Sequence, residues 1–448
     1  MAFSLGALKT LRQQVIREMQ ELYLEDSRPW VVGYSGGKDS TAVVQFVFEA
    51  LAELPQNALH KPVYVLSSDT LVETPVIVQF IDHNLSLMLR AAESRRLPII
   101  PHKVAPQLHD SFWVLMIGKG YPTPRQKFRW CTDRLKIAPT NRFIRERISE
   151  YGEVVMVLGV RSLESSSRRQ VLERHKVSGK ILRRHSVLTN AYVYSPIEHF
   201  STNDVWAYLL QYPSPWGGSN EDLYQLYKDS NAGECPLVVD KNSPSCGNSR
   251  FGCWVCTVVS EDKSLRGLIE SGRTEFQPMA DYRDWLLKIR DNEEYRQSKR
   301  MNGSVYYVGQ GDTRRRGLGP FTLQARQEML RRLLQVQKMV RVSLISDEEL
   351  KLIRRIWIEH GDWSDTLPRI LQEAYGKEIE WPYDERPFFS SSELAMLDTI
   401  CLEEGFPPEL MRKLYAVELD YYGTKNRHGI FKTLERIMRQ EWISVDVM

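Results

Sequence analysis

The chain has 448 residues, 42% hydrophobic and 26% charged, with a net charge of +3. That length calls for two or three domains of ordinary globular composition. The N-terminal MAFSLGALKTLRQQVIREMQ mixes charge into an amphipathic pattern, unlike the apolar core of a secretory signal, and no apolar run is long enough to span a bilayer. The expected location is the cytoplasm, with no membrane partner.

In chain order, the spacing of Leu8, Leu11, Val15 and Met19 predicts a helix over 5–25. A strand over 30–34 follows, then a polar, glycine-containing loop and a helix over 40–54. The pattern continues with a strand over 62–70, a helix over 74–94 and a strand over 97–104. A helix over 138–151 and a strand over 153–160 come next. The stretch YVYSPIEHFSTNDVWAYLLQY predicts a last strand and a helix N-capped by Ser201 or Thr202. Such alternation argues for an α/β fold, a parallel sheet flanked by helices. Ligands in such sheets gather beyond the carboxyl ends of the strands, so 33–40, 67–70 and 159–161 should meet in one crevice. From about Pro213 the composition turns to Pro, Gly, Ser and Asn, and beyond 260 the pattern is mainly helical. The expected divisions are 1–212, a cysteine segment 213–260, and a helical region 261–448. Trp357, Trp363, Trp381 and Trp442 in the last region are expected in the core.

The loop reads Ser35-Gly36-Gly37-Lys38-Asp39-Ser40. A helix start offers unpaired N–H groups and the positive end of its dipole, glycines allow close approach, and Lys38 adds a charge; together they suit a phosphate. The Walker A spacing is not met, because Val32 and Asp39 stand where it needs Gly and Ser or Thr.

Charge is unevenly spread. Residues 121–190 carry a net +10 and residues 341–448 a net −7. The first suggests a polyanion-facing surface, with Arg183 and Arg184 expected to meet the polyanion; a solvated basic face is the plainer alternative. Four of the six cysteines, Cys235, Cys246, Cys253 and Cys256, fall within 22 residues. In a reducing cytosol that favours metal over disulfides, and four thiolates suit iron–sulfur or zinc. Cys401, in an apolar helical stretch, is expected in the core.

The loop resembles the PP-loop of the ATP pyrophosphatase superfamily, whose adenine-nucleotide alpha-hydrolase-like fold implies ATP cleavage to AMP and pyrophosphate. Three further stretches resemble the phosphoadenosine phosphosulfate (PAPS) reductase branch. LSSDTLVETP places Asp69, WCTDRLKIAP places Cys131 and Lys136, and GVRSLESSSRR places Gly159, Arg161, Glu164, Ser165 and Arg168. The reductases' Glu-Cys-Gly-x-His nucleophile and the adjacent Cys-Cys pair of their cluster-bearing relatives have no counterpart here. CGNSRFGCWVCTVV and the helical extension instead resemble the DndC/SspD group of DNA phosphorothioation proteins.

That resemblance implies a 4Fe-4S cluster on Cys235, Cys246, Cys253 and Cys256, with Arg250 between them. It also implies an enzyme that uses ATP, with Mg2+, to activate a DNA phosphate for replacement of a non-bridging oxygen by sulfur. Ser35, Gly36, Gly37, Lys38, Asp39, Ser40, Asp69, Lys136, Gly159, Arg161 and Arg168 would bind the nucleotide's phosphates. Lys38, Asp39, Arg161 and Cys131 would carry the chemistry. The implied partners are DNA, a cysteine desulfurase as sulfur donor, and other proteins of a phosphorothioation system. Arg129 and Arg134 would favour a Cys131 thiolate, making it a candidate sulfur carrier; a cluster ligand and a structural thiol are the alternatives. The competing functions are a sulfonucleotide reductase, a non-enzymatic cluster-containing DNA-binding subunit, and tRNA thiolation.

Overall fold

In the computed structural model the described residues are 5–162, 181–230, 252–310, 314–376, 389–421 and 427–440. The chain forms two compact units, one of Met1–Gln107 with Pro124–Ala280, the other of Leu108–Thr123 with Asp281–Met448. Among the described residues, no helix is long and apolar enough to cross a membrane.

The first unit opens with α1 (Leu5–Glu25), β1 (Trp30–Gly33), α2 (Lys38–Ala52), β2 (Val63–Ser68), α3 (Pro75–Ser94) and β3 (Ile99–Val104). It continues with α4 (Ala138–Tyr151), β4 (Val154–Val157), β5 (Arg183–Arg184), β6 (Ala191–Tyr194), α5 (Thr202–Gln211), α6 (Asn220–Ser230) and α7 (Lys263–Glu270). The sheet order is β3-β2-β1-β4-β6-β5. Trp30 stands beside Val63 on one side and Val155 on the other, in parallel register; only β5, beside β6, is antiparallel.

The strand sequences explain the layers. Trp30 and Val32, Val63 and Val65, and Val155 and Val157 join residues of α1, α2, α3 and α5 in one buried cluster. The alternate residues Val31, Tyr64, Leu66, Val154 and Met156 join Phe143 and Ile144 of α4 in another. Successive strand side chains point to opposite faces, so strands apolar at every position need helices on both. The expected α/β class is therefore the observed one. Ser201 caps α5: its Oγ accepts from the Asp204 N–H at 3.2 Å, and Asp204 Oδ2 accepts from the Ser201 N–H at 2.8 Å.

Helix α4 spans the residues its sequence predicts, but a wide π-helical turn over Thr132–Ile137 precedes it. Such turns recur at functional sites because they re-aim side chains. This one carries Lys136 and begins just after Cys131.

The second unit contains α8 (Gln277–Ile289, straddling its first residues), α9 (Leu323–Val340), α10 (Asp347–Glu359), α11 (Thr366–Tyr375), α12 (Ser391–Glu403), α13 (Pro408–Asp420) and α14 (Ile430–Met438). A hairpin of β7 (Tyr307–Val308) and β8 (Arg315–Arg316) accompanies them. The segment 108–123 belongs to this unit although its sequence neighbours build the sheet. Its Trp113 indole donates to the Leu344 carbonyl at 2.6 Å, and the Trp357 indole donates to the Ile117 carbonyl at 2.7 Å. Trp357, Trp363 and Cys401 are buried, as expected of core residues. Trp381 and Trp442 lie outside the described residues.

Candidate active site at the strand ends

Strand β1 ends beside β2, where the Tyr34 N–H donates to the Leu66 carbonyl at 2.8 Å. The next turn needs its glycines. Gly36 has φ +72°, a conformation that L side chains rarely adopt, and a Cβ there would stand 2.7 Å from Ile81 Cγ1. The loop is held by Ser40, whose Oγ accepts from the Ser35 N–H at 3.1 Å and donates to the Gly37 carbonyl at 2.9 Å. Gly37 caps α2 without a side-chain hydrogen bond. The first helical N–H, that of Lys38, donates to the Tyr227 hydroxyl at 3.1 Å. An incoming phosphate oxygen seeking that N–H would displace the tyrosine hydroxyl.

Strand β4 brings the next residues to the same place. A Cβ on Gly159 would lie 2.9 Å from the Asp39 carbonyl carbon and oxygen, so only glycine lets this strand end pass the loop. Two residues on, Arg161 Nε stands 2.7 Å from Asp39 Oδ1, while Lys38 Nζ stands 2.8 Å from Asp39 Oδ2. Lys38 is 1% exposed and Arg161 2% exposed. Two buried cations thus share one carboxylate, which offsets part of their desolvation. Both flank the helix start that a phosphate would use. Asp39, held by two cations, is poorly placed to take Mg2+ alone, so such an ion would arrive with the nucleotide's own phosphates.

The end of β2 forms the second part. Asp69 Oδ1 accepts from the Leu71 N–H at 2.8 Å and Oδ2 pairs with Lys103 at 3.2 Å. Glu73 Oε2 accepts from the Thr70 N–H at 2.9 Å. Burial raises the Glu73 carboxyl and nearby Asp69 adds to the rise, while Lys136 lowers it.

The start of the described cysteine stretch is fastened to this corner. Cys253 makes a β-bridge with Glu73, the Trp254 N–H donates to the Val72 carbonyl at 3.0 Å, and Cys253 Sγ lies 3.3 Å from Thr70 Oγ1. Burial pushes the Cys253 thiol well up; Glu73 and Cys131 push the same way, with Lys136 and the Thr70 hydroxyl opposing them. Cys131 and Lys136 therefore face the same corner as Cys253. Cys256 follows one turn later, its N–H donating to the Cys253 carbonyl at 3.0 Å.

The structure brings Ser35 to Ser40, Gly159 and Arg161 together, and gathers Asp69, Lys136, Cys131 and Cys253 at the neighbouring strand end. Glu164, Ser165, Arg168, Cys235, Cys246 and Arg250 lie outside the described residues. Among the described residues no group of three or more His, Cys, Asp or Glu side chains is arranged to hold a metal ion. One expectation needs correcting. Arg183 is buried and pairs with Glu198 at 2.6 Å, so only its exposed neighbour Arg184 remains to meet phosphate. Thr70 lies in the expected 67–70 strand end; sequence reasoning missed Tyr227 and Glu73. Glu73 could have been found as the second acid of LSSDTLVETP; Tyr227 gave no signal.

Comparisons with known proteins bear on the family. The sequence pattern of the phosphoadenosine phosphosulfate reductase domain matches residues 29–259, just over half of the chain. An uncharacterised protein of Methanocaldococcus jannaschii is 24% identical over 257 residues, 57% of this chain and 41% of its own length. The chain thus spans less than half of that relative. Among solved structures, a U34-tRNA thiolase from Methanococcus maripaludis with its [4Fe-4S] cluster is similar at 11% identity and TM-score 0.31, covering 64% of this chain and 80% of that one. A Candida glabrata FMN adenylyltransferase with FAD and inorganic pyrophosphate is similar at 14% identity and TM-score 0.28, covering 47% and 60%. Likenesses this distant bear on neither substrate nor cluster. With the PP-loop, the parallel sheet and the family match in agreement, the chain belongs to the phosphoadenosine phosphosulfate reductase domain family.

Proposed function

We propose that the protein is a DNA phosphorothioation sulfurtransferase that spends ATP, releasing AMP and pyrophosphate, to activate a backbone phosphate. The observation that carries this reading is the meeting of thiols and a phosphate cradle at adjoining strand ends. Cys253 is fastened at the end of β2, the strand paired in parallel with the β1 strand that leads into the loop of Lys38 and Asp39. The net +10 of residues 121–190 supports a polyanionic substrate.

The chemistry needs two displacements. A non-bridging oxygen of the DNA phosphate attacks the α-phosphorus of ATP; the new P–O bond forms as the bond to pyrophosphate breaks. Lys38, Arg161 and the N–H groups at the start of α2 stabilise the charge that gathers on the departing pyrophosphate. The terminal sulfur of a cysteine persulfide then attacks the DNA phosphorus, and AMP leaves with the former non-bridging oxygen. A second thiol breaks the remaining S–S bond, freeing the phosphorothioate and leaving a disulfide that an external thiol reductant resets. A cysteine desulfurase is the fitting persulfide source.

The donor chemistry fits an iron–sulfur cluster. Cys253 and Cys256 are thiols one turn apart, and Cys235 and Cys246 with them would make a set of four. When bound, such a cluster supplies a thiophilic iron that can hold a sulfur atom. The residues' own part is to close the corner: Thr70 and Glu73 fix the β2 end, and the Val72 carbonyl anchors Trp254.

The reading is tested by product analysis. Purified protein given ATP and duplex DNA should form AMP and pyrophosphate in equal amounts, severalfold faster than with ATP alone. Stimulation by tRNA and not DNA would move the assignment to tRNA thiolation. Sulfite production from PAPS without ATP cleavage would establish the reductase. ATP binding with no cleavage under any condition would leave the non-enzymatic reading.

A further inference from the structure

The second unit holds a cationic surface that the active-site reading does not use. Between Arg296 and Leu318 the sequence has six Lys or Arg against one Asp. The described residues of this stretch, 296–310 and 314–318, surround the antiparallel pair β7–β8 on a fixed base. Arg296, buried, donates from Nε to the Gly319 carbonyl at 2.7 Å and stacks 5.0 Å over the Phe321 ring. The Gln297 N–H donates to the Pro320 carbonyl at 2.8 Å and the Gly319 N–H returns a bond to Gln297 at 2.7 Å. Higher up, the Tyr306 hydroxyl donates to the Leu318 carbonyl at 2.8 Å, and a Cβ on Gly317 would sit 2.2 Å from the Tyr306 ring. Glycine there lets the ring lie against the backbone.

On this base two guanidiniums lie over tyrosine rings. Arg300 lies 4.1 Å over Tyr306 and Arg314 lies 4.6 Å over Tyr307. Arg300, Arg314 and Arg315 are exposed, as are Tyr307 at 49% and Met301 at 55%. Among the described residues no carboxylate pairs with Arg300, Arg314 or Arg315. Elsewhere on this unit exposed arginines do find acids, as Arg332 finds Glu328 and Arg439 finds Glu435. A guanidinium stacked on a tyrosine ring loses little further freedom when it binds, and its edge stays open for bidentate contact with phosphate oxygens.

We propose that the β7–β8 hairpin is a contact for the phosphodiester backbone of DNA, made by Arg300, Arg314 and Arg315 with Tyr307 beside them. Charge complementarity selects this occupant: planar cations interleaved with aromatics suit a nucleic acid backbone. The inference rests on DNA as the substrate and adds a second contact on a unit that bears no part of the ATP loop.

The experiment measures binding of a fluorescently labelled 30-base-pair duplex to the full chain over a range of salt concentrations. The triple variant R300Q/R314Q/R315Q should bind at least tenfold more weakly at about 0.1 M salt. Its log–log salt slope should be shallower by about 2.7, the value for three lost phosphate contacts. Because the base formed by Arg296, Gly319 and Tyr306 is untouched, thermal melting should be unchanged, and Y307A should weaken binding without altering the slope. A wild-type chain that binds DNA and a triple variant with the same affinity and slope would overturn the hairpin contact alone. A wild-type chain that does not bind DNA would overturn the DNA reading and the hairpin with it. Equal competition by polyglutamate would show a general anion surface and refute the assignment to DNA.

Discussion

Replacing Lys38 with alanine is expected to cut pyrophosphate release by about a hundredfold to a thousandfold, the usual loss when one preorganised cationic or N–H donor to a reacting oxyanion is removed. The site's geometry sets this expectation. Lys38 Nζ is buried, and Asp39 is the acid it is seen to pair with, at 2.8 Å. Asp39 would keep Arg161 at 2.7 Å, so the variant leaves no buried carboxylate without a cation. The fold should therefore persist, with circular dichroism and iron content as in the parent. Lys38→Arg should not restore the rate, because a planar guanidinium presents its donors in a fixed fork and not as the compact point charge of an ammonium. ATP cleavage at the parental rate in Lys38→Ala would show that the loop does not hold the scissile phosphates.

The second large effect is expected at Cys131. Its sequence context suggested a sulfur carrier, with four other thiolates to complete a cluster. The ligand alternative is the one put to the test, because Cys131 adds to the rise of the buried Cys253 thiol at the corner formed by Thr70 and Glu73. Cys131→Ser should therefore fall from about four irons per chain to fewer than half that number after anaerobic purification. ATP cleavage, which depends on the loop, should survive, and sulfur-modified DNA should not form. A full iron complement with modification still lost would return Cys131 to the role of carrier. Zinc at one atom per chain without labile sulfide, in the parent protein, would refute the iron assignment altogether.

The sheet was legible because β1, β4 and the first four residues of β2 are apolar at every position, and its helices are apolar at every third or fourth. The PP-loop was legible because Gly36 must take a positive φ and Gly159 must clear the Asp39 backbone; both constraints appear in the sequence as glycine. Ser201 could be read as a cap because Asp204 follows at the capping-box distance.

Other features left no such mark. Residues 108–123 join the helical unit because Trp113 and Ile117 meet partners more than two hundred positions away, and an apolar run does not name its partner. Helix α6 lies in a Pro- and Gly-rich stretch with few buried apolar residues, so Tyr227's place on the Lys38 N–H was invisible. Strand β5 is two arginines, with neither alternation nor apolar content, and its Arg183 is held by Glu198 rather than left for DNA. The corner of Glu73 and Cys253 joins residues 180 positions apart, and only the fold could bring them together.

The most direct test of the account is mass spectrometry of DNA. DNA from cells carrying the intact gene with its sulfur-supplying partners is digested with nucleases that leave phosphorothioate linkages uncut, and compared with DNA from cells carrying the Lys38→Ala variant. The account predicts sulfur-containing dinucleotides in the first sample and none in the second. Ordinary phosphodiester products alone in both samples, with the protein expressed and ATP cleavage demonstrated, would contradict it; sulfur found instead in tRNA nucleosides would identify the substrate as RNA.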